Sequence, residues 1–103
     1  MYMRITMKKT KHPYIEINST KRGDHPIITG SGLRVLDIAI EYQYKGYTVD
    51  QIIDYHPHLE LKHVHDALSF YYENQEQFDR QIREQQDYVG KIRRQLLKSS
   101  PEL

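Results

Sequence analysis

The stretch HPHLELKHVH, His56 to His65, holds two His-x-His pairs, His56/His58 and His63/His65. Imidazoles are common zinc ligands, so this is the chain's best case for metal chemistry. The spacing works against it. Residues two apart on a helix point to different sides, which keeps His63 and His65 from sharing one ion. With no cysteine in the chain there is no thiolate to complete a site, and neither a metal nor a cofactor is assigned. Asp50 and Asp54 share a helix face at i and i+4. Paired carboxylates suit general acid–base work, but on an exposed face they are ordinarily just solvated. No nucleophile elbow or phosphate loop occurs, and Gly30-Ser31-Gly32 is too short for a dinucleotide fingerprint. A non-enzymatic protein is expected.

Recognition by charge is the second kind of chemistry. The 103 residues carry a net charge of +1, unevenly spread. Met1–Arg34 has seven Lys/Arg against two acids, Val35–Asp79 two against nine, and Arg80–Leu103 six against three. Arg4, Lys8, Lys9, Lys11, Lys21 and Arg22, with Tyr2 and Tyr14 among them, form a basic set that can neutralise nucleic-acid phosphates, twice over in a dimer. Arg80, Arg83, Arg93 and Arg94 lie near the other end. Their planar guanidinium groups match carboxylates in a partner.

The elements that position these groups follow from periodicity. Residues 1–12 read as a basic flexible arm. Tyr14–Ile17 alternates apolar and polar, a short strand signal, and Asn18–His25 is a turn cluster. Pro26–Val35 places two apolar runs around Gly30-Ser31-Gly32, which predicts a small hairpin or hooked strand. A first helix is expected from Leu33 or Val35 to Lys45, with Val35, Ile38, Ala39 and Tyr42 in one stripe and Gly46 at its left-handed end. Thr48 and Gln51 spell a capping box for a second helix, flanked by Tyr47 and Ile52 as a hydrophobic staple. That helix buries Val49, Ile52 and Ile53 and ends before Pro57. A third starts near Glu60 or Leu61, with Leu61, Val64, Leu68 and Tyr71 inward. Tyr42 and Tyr55 also fit buried faces. Lys62, His63, His65, Asp66, Ser69 and Tyr72 then point outward.

A fourth helix carries Phe78, Ile82, Gln85, Val89, Ile92 and Leu96 at heptad spacing. Gln85 interrupts this seam, and Gly90 costs about 1 kcal/mol relative to alanine. A helix so thinly apolar is marginal alone, so a partner surface is expected to cover it. Phe78, Ile82, Arg83, Val89, Ile92, Arg93, Arg94 and Leu96 are its candidate dimer or partner contacts. Helices two and three have the outline of a helix-turn-helix, but Lys62 is the third helix's one outward cation, and the acidic middle opposes a DNA backbone. No apolar run approaches the roughly 20 residues of a membrane span. The N-terminal stretch has no apolar signal region. A cytoplasmic protein without membrane contact is expected, consistent with the lack of cysteine.

The segment HPIITGSGLRVLDIAIEYQYKGYTVDQIIDYHPHLELKHVHDAL resembles the domain of unknown function family 433, small prokaryotic proteins often described as antitoxin-like. The matching positions are Pro26, Ile28, Gly30, Arg34, Gly46, Thr48, Ile52, Tyr55, Pro57, Leu59 and Ala67. Ser31-Gly32 stands where the family pattern has Thr-Arg, so Arg34 matches only across a one-residue insertion. Glu60 stands where a threonine cap is common. The resemblance implies a homeodomain-like three-helix unit, a PIN-type ribonuclease toxin as partner and repression at operator DNA.

The expected architecture is therefore mainly α. It comprises an arm over 1–12, a short β element with a homeodomain-like, helix-turn-helix trihelical unit over 13–74, and a long amphipathic helix and tail over 75–103. The expected role is an antitoxin-like regulator that homodimerises and neutralises a toxin nuclease. The alternative is a helix-turn-helix transcriptional regulator without a toxin, contacting DNA through Arg4, Lys8, Lys9, Lys11, Lys21, Arg22, Arg34 and Lys62.

Overall fold

Lys21 and Arg22 alone reverse the chain, and the strands on either side pair from Thr20↔Gly23 to Ile15↔Ile28. Thr20 shapes this turn: its hydroxyl donates to the Gly23 carbonyl and accepts from the Arg22 N–H. Gly23, at φ 123°, takes a conformation that side chains with a Cβ rarely adopt. The expected turn cluster Asn18–His25 is thereby corrected, since most of it lies in strands. In the computed structural model, which describes residues 6–99, the sheet comprises β1 (Thr6–Lys9), β2 (Ile15–Thr20) and β3 (Gly23–Ile28). It is antiparallel in the order β1-β2-β3. The stretch expected as an arm is corrected as far as it is described: its residues 6–9 are a strand hydrogen-bonded to β2.

β3 ends in a hook. Gly30 and Gly32 both sit at φ near 75°, and Ile28 donates to Leu33 across them. Four helices follow, making the chain mostly helical with a small sheet. α1 (Val35–Ala39) starts where Arg34 donates its N–H to the Asp37 carboxylate. It does not run to Lys45 as an α-helix. From Ile40 to Tyr44 the chain widens into a π turn, with Lys45 N–H reaching back five residues to Ile40. Gly46 closes the segment at φ 74°, and α2 (Val49–Tyr55) opens on the expected box. Gln51 N–H donates to Thr48 Oγ1 at 3.1 Å, and Thr48 N–H to Gln51 Oε1 at 2.8 Å. α3 (Leu61–Glu73) is separated from α4 (Gln75–Ser99) by Asn74 alone.

The core lies where α1, α2, α3 and the sheet meet. Ile15, Ile28, Val35, Ile38, Ile52, Val64 and Tyr71 are fully enclosed there, with Leu59 and Leu68 at the margin. Of the second helix's predicted inward residues, Ile52 is fully buried while Val49 and Ile53 pack at its edge. Leu61 is a correction: as the first residue of α3 it overhangs the core and is exposed. So is Tyr55, which stacks on Tyr47 at 5.0 Å at the surface, and Tyr42 is only half-buried.

Candidate partner interface

α4 leaves the core along its own length. Its first turn continues from α3 through Phe78 N–H donating to Asn74 O, while the Asn74 amide holds Phe70 O. Phe78 packs edge-on against Phe70 and Tyr71. Tyr71 and Tyr44 both donate their hydroxyls to Asp79 Oδ1, at 2.7 and 2.9 Å, pinning α4 to α3 and to the π turn. Burial, then the Asp79 carboxylate, pushes the Tyr71 phenol well above its ordinary range, so it stays a donor.

Phe78 is 5% exposed and Ile82 1%. These two were expected to contact a second chain; instead the chain's own core covers them, because the Asn74 joint folds α4's base back onto α3. Past Ile82 the same face is open at Val89 and Ile92, which are 55% and 42% exposed, and Leu96 is 62% exposed. Tyr88 and Leu97 widen the exposed apolar surface. The radius of gyration is 16.5 Å, against about 13 Å for a compact domain of this length. The 25-residue α4, roughly 37 Å long at 1.5 Å per residue, accounts for that extension.

The cations past Ile82 are exposed, with Arg93 flanking this face and Arg83, Lys91, Arg94 and Lys98 on the other sides of the helix, and Arg80 is nearer the body. Among the described residues none of them forms a salt bridge. The structure thus brings Arg83, Val89, Ile92, Arg93, Arg94 and Leu96 onto one projecting helix.

The candidate DNA contacts are scattered by comparison. Arg4 lies outside the described residues. Lys21 and Arg22 sit at the β2–β3 turn, and Lys8 and Lys9 point to opposite faces of β1, opposite Ile17 and Glu16 respectively. Lys11 pairs with Glu73, Arg34 with Asp37 and Lys62 with Glu60, so three of the cations already have carboxylate neighbours. The outward face of α3 is also narrower than its periodicity predicts. Asp66 is turned inward as a correction, accepting from Tyr14 N–H at 2.8 Å and lying 2.8 Å from His12 Nδ1. His63 meets the Tyr14 ring edge-on.

His12 is the residue that the sequence reading missed. It is nearly buried, edge-on to Phe70, with Nε2 2.6 Å from Glu73 Oε1. It joins the β1–β2 connection to both acids of α3. The signal was present in Asp66, Phe70 and Glu73, which recur at helical spacing on one face, but a face with two acids reads as solvated. The Glu73 carboxyl is held below its ordinary range, first by Lys11 and then by His12.

The histidine pairs do not converge. His56 Nε2 lies 2.8 Å from Glu41, and His63 Nδ1 accepts the Glu60 N–H at 2.9 Å, while His58 and His65 are exposed. Among the described residues no group of three His, Cys, Asp or Glu is placed to hold a metal. No helix of the described residues is long and apolar enough to cross a membrane.

Comparison with known proteins adds one finding. The model of the family described as "Protein of unknown function (DUF433)" matches residues 15–71, from the start of β2 to the buried Tyr71. No curated protein and no solved structure matches significantly. The matched region takes in the sheet's central strand, the hook, α1, α2 and most of α3, and leaves α4 outside.

Proposed function

The chain belongs to the DUF433 family, and from that premise we propose that it is a non-enzymatic, antitoxin-like cytoplasmic regulator whose α4 docks on a second polypeptide. In this reading α1, α2 and α3 form a homeodomain-like trihelical scaffold, and its task is to hold α4 out. The observation that carries it is the apolar ridge running on from Ile82 into Val89 and Ile92, which are both exposed. Burying one such side chain contributes about 1.5–3 kcal/mol, enough across a few residues to drive association.

The charge along α4 gives the partner its chemistry. Arg93 and Arg94 carry no salt bridge among the described residues, and an acidic cleft would receive them in bidentate fashion. The acidic metal site of a PIN-type ribonuclease, the partner that the family resemblance implies, is such a cleft. Insertion of Arg83, Arg93 or Arg94 at its rim would block the cleft to RNA.

The test is inhibition of the ribonuclease encoded in the neighbouring reading frame. Val89→Glu with Ile92→Glu should abolish inhibition and leave the unfolding curve unchanged, because both positions lie outside the core. Full inhibition by that variant, or a neighbouring frame that encodes no nuclease, would defeat the reading.

A second reading rests on Lys8, Lys9, Lys21 and Arg22, which have no carboxylate partner among the described residues. They would let the sheet end contact operator DNA. Binding of this kind falls steeply with salt, and the slope should drop by about one for each phosphate-contacting lysine replaced by alanine. A slope that ignores Lys8→Ala and Lys21→Ala removes it.

A further inference from the structure

We infer that His12 is a proton-dependent latch: as the imidazolium it ties the β1–β2 connection to α3 through two carboxylates at once, and loss of its proton loosens that tie. The inference goes beyond the docking reading and is independent of it. Its support is the placement of both ring nitrogens. Nδ1 lies 2.8 Å from Asp66 Oδ1, and Nε2 lies 2.6 Å from Glu73 Oε1. A carboxylate can only accept, and a neutral imidazole has a single N–H. Only the imidazolium meets both oxygens with a donor. The neutral ring would turn a lone pair on one of them at hydrogen-bond distance, in a site where His12 is 9% exposed. An acceptor facing an acceptor with so little water at hand is unfavourable. Glu73 meets the ring as a carboxylate, held below its ordinary range first by Lys11 and then by His12.

The connection holds the ring in this position. Thr10 Oγ1 donates to the Ile15 carbonyl at 2.8 Å and accepts the His12 N–H at 3.0 Å, while Ile15 N–H donates to His12 O. Phe70 packs edge-on against the ring. Among the described residues the charged and titratable groups around it are Asp66 and Glu73 from α3, Lys11 beside Glu73 from its own connection, and, one layer out across the Tyr14 ring, His63 and Lys62. Asp66 also accepts the Tyr14 N–H through Oδ2 at 2.8 Å. One carboxylate thus grips the connection at two points, which makes the Tyr14 amide a reporter of the latch. The direction with pH follows from the proton count. The closed latch binds a proton that the loosened one gives up, so its contribution to stability is present while the proton is bound and is lost as the pH rises through the titration of His12 in the folded chain. What loosens is the 10–14 connection, and with it the cover over Phe70.

The experiment is a pH titration of the full chain by NMR, read at the His12 ring nitrogens and at the Tyr14 amide, whose exchange is corrected for its intrinsic rate. The expected result is a proton on both ring nitrogens while Tyr14 is protected, and a fall in protection of at least about tenfold where the ring loses one of them. Protection that ignores the His12 titration overturns the inference. So does a ring with a single N–H beside a fully protected Tyr14, or a step that follows the His63 ring instead. Glu73→Gln is the second measurement, at an exposed position where the fold should persist. Its amide can turn an oxygen to the imidazolium or an N–H to the neutral ring. The latch should then stay closed in both states and the step at Tyr14 should vanish, an outcome that a purely structural histidine would not produce. A step of unchanged size in that variant also overturns the inference.

Discussion

α3 and α4 are both amphipathic helices, joined by one residue, yet the fold treats their apolar faces in opposite ways. The face of α3 made by Val64, Ala67, Leu68 and Tyr71 is closed over by α1, α2 and the base of α4, and even its acidic flank is roofed by His12 and Tyr14. The face of α4 is closed only as far as Ile82. The same kind of residue therefore has two meanings within one continuous stripe: Phe78 and Ile82 are core, while Val89 and Ile92 are surface. What decides between them is whether another element of the chain stands opposite. The breakpoint predicts the largest contrast in the molecule. Ile82→Ala should cost about 2–5 kcal/mol of unfolding free energy, through lost burial and a cavity. Ile92→Ala, measured by denaturant unfolding dilute enough to keep the chain monomeric, should stay within about 0.5 kcal/mol. Equal costs at the two sites would mean that the ridge folds back on its own globule.

His12 sharpens the comparison from the α3 side. Replacing it with alanine leaves Asp66, itself only 13% exposed at the side chain, with one of its partners removed and frees Glu73 Oε1. A partly buried acceptor left short in this way costs about 1–3 kcal/mol. His12→Ala should lower stability by that amount and loosen the 10–14 connection, seen as faster amide exchange at Tyr14, whose N–H bonds Asp66. An unchanged exchange rate at Tyr14 would show that the histidine does not hold this flank.

Thr48→Ala should cost less, about 1 kcal/mol in the same unfolding experiment, because the cap supplies one hydrogen bond to an exposed helix end. No loss at all would mean that Gln51 alone secures the end. This site also shows what was legible in the sequence. The Thr48–Gln51 capping box, the glycine at residue 46 and the stop before Pro57 are written within a few residues, and all three stand in the structure where spacing puts them. The contacts that reach across the chain were not. His12 to Asp66 spans 54 residues, and no local pattern marks a histidine beside Pro13 as the roof of a later helix. The π turn was hidden for another reason: Ile40–Tyr44 has the residues of an ordinary helix, and its wider backbone accompanies a bond from Tyr44 to Asp79, 35 residues on. The candidate partner face was half legible. The heptad spacing identified the ridge, but only the joint at Asn74 shows which of its residues are already covered.

The smallest expected effect tests whether the charged edge of α3 matters at all. Lys11 pairs with Glu73 at the surface, with the lysine side chain 77% exposed, and exposed pairs contribute little. Its direction with pH is nevertheless fixed. The Glu73 carboxyl, ordinarily near 4.5, is lowered in the folded protein by Lys11 first and His12 second. A carboxyl lowered on folding binds fewer protons folded than unfolded in that range, so stability rises with pH there. The contribution is complete above the unfolded value and is lost as the pH falls through the folded one. Lys11→Met should therefore lower stability slightly at neutral pH and not at all in strong acid, with the difference closing below about pH 4.5. Unfolding curves of the two proteins at a series of pH values measure this. A gap that is constant across the acid limb would assign the effect of Lys11 to packing of its aliphatic stem rather than to its charge.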